Sequence, residues 1–238
     1  MSLPCPPRTR PSGFTLIELL AAISVIAVLA SILVAVVRSS TDKARAVECA
    51  SHLRQIGQCV SLYLNDSSGY LPTWTTWNDG GSGNWVWDNY HYGYRADGTP
   101  VGGLLTEIAG YYPGGLMTNV QYDTPGADHL FNCPANTSTI SSKGYSANTL
   151  VLKRVNTSSP NNGALHYMDI PRPGRVIMIT DNTTETNANS RWFSTTTWED
   201  NIGFDRHDGH ANVLFVDLCV SSMQREDVQP RNIDPEEN

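Results

Sequence analysis

The densest group of residues able to do chemistry lies late in the chain, in "FDRHDGHANVLFVD", which holds Asp205, His207, Asp208, His210 and Asp217. Imidazoles and carboxylates are ligand types for a metal ion and partners for general acid–base work, and Asp181 is a further carboxylate that a fold could bring near. The spacing favours neither use. No His-x-x-x-His and no Cys pair accompanies these residues, and "HDGH" also reads as an ordinary turn between strands. A histidine bonded to turn carbonyls, with Asp217 capping a hairpin, accounts for the same pattern. His207 and Asp217 stay as the metal candidates, against a first expectation of no metal. No GxSxG, P-loop, dinucleotide fingerprint or HExxH occurs, so no catalytic or cofactor-binding set is expected and the chain does not read as an enzyme.

The second chemically odd residue is Glu18. Between Phe14 and Val37 it is the only side chain that ionises. An acidic or basic residue at the centre of a spanning helix costs about 2.5–3.5 kcal/mol, and Glu18 sits near one end of the run. As a helix, residues 14–37 span about 36 Å, enough to cross a hydrocarbon core of about 30 Å. Arg8 and Arg10 on one side face Arg38, Lys43 and Arg45 on the other, so the flanking charges leave orientation open. A cleaved secretory signal is the competing reading. It fits poorly, because the apolar run is too long for an h-region and continues past the weak cleavage site "VLA" at 28–30.

These residues need elements to hold them. After Arg38 the pattern turns amphipathic, with Ala46, Val47, Ala50, Leu53, Ile56, Val60 and Tyr63 or Leu64 recurring at helical spacing. One continuous helix of about 50 residues is expected, half in lipid and half against a soluble domain, with Gly69 as its C-terminal cap and Pro72 just beyond. The remainder is rich in Asn, Thr, Ser and Gly, typical of exported β-rich domains. "HLFNCPAN" (129–136) reads as a strand running into a Pro turn, and further strands are expected in "KGYSANTLVLK" and "GRVIMITDN", the last nearly all apolar and hence central, and from Asn212 to about Val220. "GGLLTEIAGYYPGG" (102–115) reads as a short helix or turn. The Trp and Tyr residues between 74 and 94 read as caps on a small core or as a sugar-stacking platform. A net charge of −7 argues against nucleic acid as a partner.

"GFTLIELL" resembles the processing site of type IV prepilins and type II secretion pseudopilins. The resemblance implies cleavage after Gly13 by a prepilin peptidase, methylation of the new N-terminal Phe14, and a glutamate at the fifth mature position, here Glu18. It further implies assembly with other pilin-like subunits through the N-terminal helix, in which Glu18 meets the Phe14 amine of a neighbour. Implied too is a single-pass protein of the bacterial inner membrane with its globular domain outside the cytoplasm, in a pilus or pseudopilus. Calcium held by loop oxygens is the alternative to no cofactor, because some pseudopilins bind it. The expected fold class is α+β, a long helix packed on a small antiparallel sheet with long loops. The expected divisions are a cleaved leader (1–13), a transmembrane half-helix (14–37), an amphipathic half (38–66) and a globular domain (67–238). "FNCP", "GYSAN" and "VIMITDN" fall in the order seen in a prepilin-like group that ends in His, nine residues, then Asp-Gly. His207 and Asp217 match that motif, but Leu218 replaces the glycine. If that glycine serves a positive φ, the turn here is expected to differ.

Removing the leader takes Cys5 with it and leaves Cys49, Cys59, Cys133 and Cys219. Cys49 and Cys59 share a helix about 15 Å apart, too far to bridge each other. In an oxidising compartment the preferred bridge is Cys49 with Cys133. The leading functional expectation is a structural pilin-like subunit. The alternative is a membrane-anchored module that binds glycans or an envelope partner through its aromatic loop.

Overall fold

The computed structural model describes residues 15–73, 75–77, 93–94, 100–101, 108, 111, 130, 132–135, 144–156, 164–183 and 192–237. Gly13 and Phe14, and most of the aromatic segment 74–94, lie outside the described residues. Contacts group the chain into two units, Met1–Thr41 and Asp42–Asn238.

A single long helix, α1 (Leu16–Asp66), is the first element. In the first unit its large apolar side chains, Leu16 through Val37, are all exposed. An 18-residue window averages 3.0 in hydropathy and none of it is buried, so the helix is long and apolar enough to cross a membrane. Three of its hydroxyls bond to carbonyls of the preceding turn. Ser24 donates to Leu20 O (2.8 Å), Ser31 to Val28 O (2.7 Å) and Thr41 to Val37 O (2.8 Å). Such back-bonding removes a donor that hydrocarbon could not solvate.

In the second unit the helix buries a narrow stripe: Cys49, Leu53, Ile56 and Val60, spaced four, three and four residues apart, with Cys59 beside it. Val47, expected on this face, is 68% exposed, because the stripe is centred on Cys49 rather than on the alanines. Cysteine here acts as a small apolar residue, the behaviour that makes it among the most buried types. The helix ends in a tight turn in which Ser67 N donates to Tyr63 O and Gly69 N to Leu64 O, both at 2.8 Å. Ser68 (φ +57), not Gly69, takes the first left-handed position. Gly69 follows with φ +85 and is needed for a second reason. A Cβ there would lie 2.5 Å from His166 Nε2.

The strands, in chain order, are β1 (Thr75–Trp77), β2 (Gly93–Tyr94), β3 (Pro100–Val101), β4 (Tyr145–Asn148), β5 (Arg154–Asn156), β6 (Ile177–Asp181), β7 (Trp192–Phe193), β8 (His210–Phe215) and β9 (Val220–Gln224), with a one-turn helix α2 (Trp198–Asn201) after β7. The main sheet has the order β7-β4-β6-β8-β9, so the apolar β6 is central as its sequence requires. β4, β6, β8 and β9 pair antiparallel, and β7 joins β4 in parallel at the edge. The fold is α+β. One face packs Ile179, Leu214, Tyr145 and Ala147 with the α1 stripe. The other face packs Ile177, Ala211, Val213 and Phe215 with Phe193, Phe204, Val228 and Ile233. Ile177 and Ile179, two apart, fall in different clusters because a register shift between them turns the strand.

Two sequence expectations need correction. The turn expected at Pro134 is present, but Leu130, expected in the strand before it, also lies in a turn. A Cβ on Gly144 would collide with the Cys133 backbone, so the chain here lies pressed against the start of β4 rather than beside it as a ladder. The strand expected from Asn212 to Val220 is instead a hairpin broken at Asp217 and Leu218. Asp217 Oδ1 accepts the Cys219 N–H (3.0 Å), a local bond that competes with sheet pairing.

Leu218 adopts φ +71, so the positive-φ turn survives without its glycine. The strain is about 1–2 kcal/mol for a residue with a Cβ, offset by Leu218 packing partly buried against the helix-side core. Leu218→Ala removes the packing and keeps the strain, whereas Leu218→Gly removes both. We therefore expect the glycine variant to exceed the alanine variant by about 1 kcal/mol in urea unfolding, the reverse of their usual ranking within a strand or helix.

Candidate functional site

Two places in the molecule gather the residues that sequence chemistry picks out. The first is the start of α1. Thr15 N donates to Glu18 Oε2 (2.9 Å), the Thr15 hydroxyl donates to the same oxygen (2.7 Å), and Glu18 N donates back to Thr15 Oγ1 (3.4 Å). This is a capping box, and it satisfies two helix-end donors that hydrocarbon would leave unpaired. Glu18 is therefore a local cap in the single chain, a role the sequence analysis missed although "TLIE" carries the Thr-x-x-Glu signature.

The second place is buried under the sheet, where four segments converge. Cys49 comes from α1, Cys133 from the 132–135 turn, Asp181 from the last position of β6, and His207 from the turn before β8. Cys49, Cys133 and Asp181 have no exposure and His207 has 8%. One donor atom from each lies within 4.8 Å of the others, a set able to hold a metal ion. Cys49 Sγ donates to Asp181 Oδ1 (2.8 Å). His207 Nε2 lies 3.2 Å from Asp181 Oδ2 and 3.4 Å from Cys133 Sγ. Asp181 Oδ2 also accepts the Asn212 N–H (2.7 Å), and the Tyr145 hydroxyl lies 3.5 Å from Cys49 Sγ.

The surroundings fix these positions. Asp208 (φ +57) and Gly209 (φ +83) are the positive-φ pair of a two-residue turn that bridges His207 to His210. The turn aims His207 inward and leaves His210 outside, where it meets Gln224 Nε2 (3.0 Å). His52, one turn along α1 from Cys49, bonds Asn132 O (3.2 Å) and so anchors the residue before Cys133. Among the described residues His207 Nδ1 and Arg206 Nε are buried without a hydrogen-bond partner.

The electrostatics follow from crowding. A hydrogen bond with Cys49 lowers the Cys133 thiol, burial opposes it and His207 adds to the lowering, leaving Cys133 at about 6. Burial works against an imidazolium at His207, yet its hydrogen bonds and charge contacts with Asp181 and Cys133 outweigh this and raise it to about 9. Burial pushes Cys49 well up, as does its bond with Cys133. These contacts thus favour a Cys133 thiolate paired with a His207 imidazolium and disfavour ionisation of Cys49.

The sequence-derived sites fare differently. Cys49 and Cys133 do come together, as free thiols rather than as the bridge expected from sequence. His207 and Asp217 do not meet. They stand beyond opposite ends of β8, whose six residues span roughly 17–20 Å. Asp217 belongs to the β8–β9 turn, against Gly174 and the Cys219 N–H. Asp181 was only a distant possibility in the sequence. Its signal was a carboxylate ending an all-buried strand.

A membrane-capable helix opening on a Thr-x-x-Glu cap is followed by an α+β domain, an order of elements consistent with a pilin-like fold. In agreement, residues 8–34 match the family model described as the prokaryotic N-terminal methylation motif, so the chain carries a prepilin-type N-terminus. No curated protein and no solved structure matches the chain.

Proposed function

We propose that the chain is a structural subunit, not an enzyme, of a type II secretion or type IV pilus type assembly, processed after Gly13 and N-methylated at Phe14. The observation that supports it most is the methylation-motif match over residues 8–34, with Glu18 in the first turn of a helix able to span a membrane. A prepilin peptidase would act on the Gly13–Phe14 bond and leave an α-amine four residues before Glu18. The protein would sit in the inner membrane by a single pass, its sheet domain outside the cytoplasm, and join other pilin-like subunits through α1. The aromatic segment 74–94 falls mostly outside the described residues, and the module alternative has no observation in its favour.

The test is the N-terminus of the protein isolated from membranes of a cell that has the peptidase. Peptide mass mapping is expected to find N-methylated Phe14 as the first residue. An intact Met1–Gly13 segment, or a cut near residue 30, would refute the reading.

A further inference from the structure

We propose that Cys49, Cys133, Asp181 and His207 form a structural zinc-type metal centre that fastens α1 to the sheet domain. The ligand chemistry selects the ion. Two sulfurs, one imidazole nitrogen and one carboxylate oxygen suit a borderline-soft cation of tetrahedral preference. Calcium and magnesium want six or more oxygens, and this cluster offers one carboxylate.

The geometry agrees. Bonds of about 2.3 Å to sulfur and about 2.0–2.2 Å to nitrogen and oxygen, at tetrahedral angles, place neighbouring ligand atoms about 3.4–3.8 Å apart. The Cys133–His207 edge is 3.4 Å and the His207–Asp181 edge 3.2 Å. Cys49 Sγ lies 2.8 Å from Asp181 Oδ1, the other carboxylate oxygen, a contact that an ion held through Oδ2 would replace. All four side chains are buried, which is the plan of a structural site rather than a catalytic one.

A disulfide between the two thiols explains less. It would leave Asp181 and His207 side by side with sulfur that needs neither a counter-charge nor a donor. A cation gives each of the four groups a bond. It also closes three long chain intervals at once, from 49 to 133, to 181 and to 207, where cross-links in principle restrain an unfolded chain most. The Asn212 N–H on Asp181 Oδ2 supplies a second layer of support for a ligating carboxylate.

The experiment uses the full chain in detergent, reduced, stripped with a chelator and titrated with Co²⁺. One cobalt per chain is expected, with the intense visible bands of four-coordinate cobalt and a near-ultraviolet thiolate band, both erased by an equivalent of Zn²⁺. Cys49→Ser and Cys133→Ser should each weaken the thiolate band. Asp181→Asn and His207→Gln should each lower cobalt affinity at least about tenfold. Cys59→Ala and Cys219→Ser should change nothing. No uptake, a six-coordinate spectrum without the thiolate band, or a band unchanged in Cys49→Ser overturns the proposal. So does a Cys49–Cys133 disulfide mapped in unreduced protein from membranes. If a ligand variant fails to fold, the wild-type spectrum decides, since it reports coordination number and thiolate ligation by itself.

Discussion

Replacement of Asp181 by alanine is expected to cost about 3–5 kcal/mol, the penalty for stripping one partner from a buried, hydrogen-bonded charge group. The carboxylate is fully buried and serves three groups: the Cys49 thiol, the His207 ring and the Asn212 N–H. Alanine leaves the Asn212 N–H without its acceptor and leaves Cys49 and His207 with Cys133 as their remaining partner in the cluster; the Asn212 N–H belongs to the β8 backbone, so the loss reaches the β6–β8 ladder. Asp181→Asn should fall between, because the amide keeps one acceptor while each unmet partner costs about 1–3 kcal/mol. Denaturant unfolding of chelator-treated protein measures this independently of metal. A pH series adds a sign. His207 is raised to about 9 from an unfolded value near 6.5, so its share of stability is complete below about pH 6.5 and is lost as pH rises through about 9. Without Asp181, burial acts on His207 with less opposition and that share shrinks. The stability gap between wild type and Asp181→Ala should therefore be widest below about pH 6.5 and narrow towards alkaline pH. A loss under 1 kcal/mol at every pH would mean that the site relaxes around alanine, and would deny the cluster its structural weight.

How far the sequence discloses this molecule depends on the range of the interactions involved. Glu18 stands out because one ionisable residue in a run of apolar ones is a local anomaly, and the long helix follows from periodicity alone. β6 is legible because a strand buried on both faces must be apolar throughout. The buried stripe of α1 is harder to see. Cys49 reads as a candidate for oxidation rather than as an apolar helix position, and Val47, which fits the apolar spacing, is exposed. The cluster as a whole is not legible at all. Its four members are scattered from 49 to 207, and only the pairing of β6 with β4 and β8 brings Asp181 over the helix. Sequence proximity instead favoured His207 with Asp217, which β8 holds apart. Leu218 carries a related lesson. A missing glycine suggested a different turn, yet the Asp217 carboxylate and partial burial of Leu218 hold the left-handed conformation in place.

Glu18 carries the other large prediction, because two roles overlap there and can be separated. Within the chain it completes a capping box with Thr15. In the proposed assembly it meets the Phe14 amine of a neighbouring subunit, and a register error leaves both charges unpaired in a poorly solvating place. Glutamine still serves as a capping-box acceptor but carries no charge. Removing one partner of such a pair costs about 3–5 kcal/mol, equivalent to an incorporation loss of about 10²–10⁴-fold. Loss of the cap alone costs about 0.5–2 kcal/mol. Glu18→Gln and Glu18→Ala should therefore both reduce incorporation into the filament to background in a shear or cross-linking assay. Thr15→Ala, which weakens only the cap, should reduce it mildly. Membrane extraction should show all three variants inserted, since none adds a charge to the apolar window and two remove one. The decisive comparison is Glu18→Gln with Thr15→Ala. If glutamine assembles as well as wild type while Thr15→Ala does not, the carboxylate matters as a helix cap and its charge sets no register between subunits.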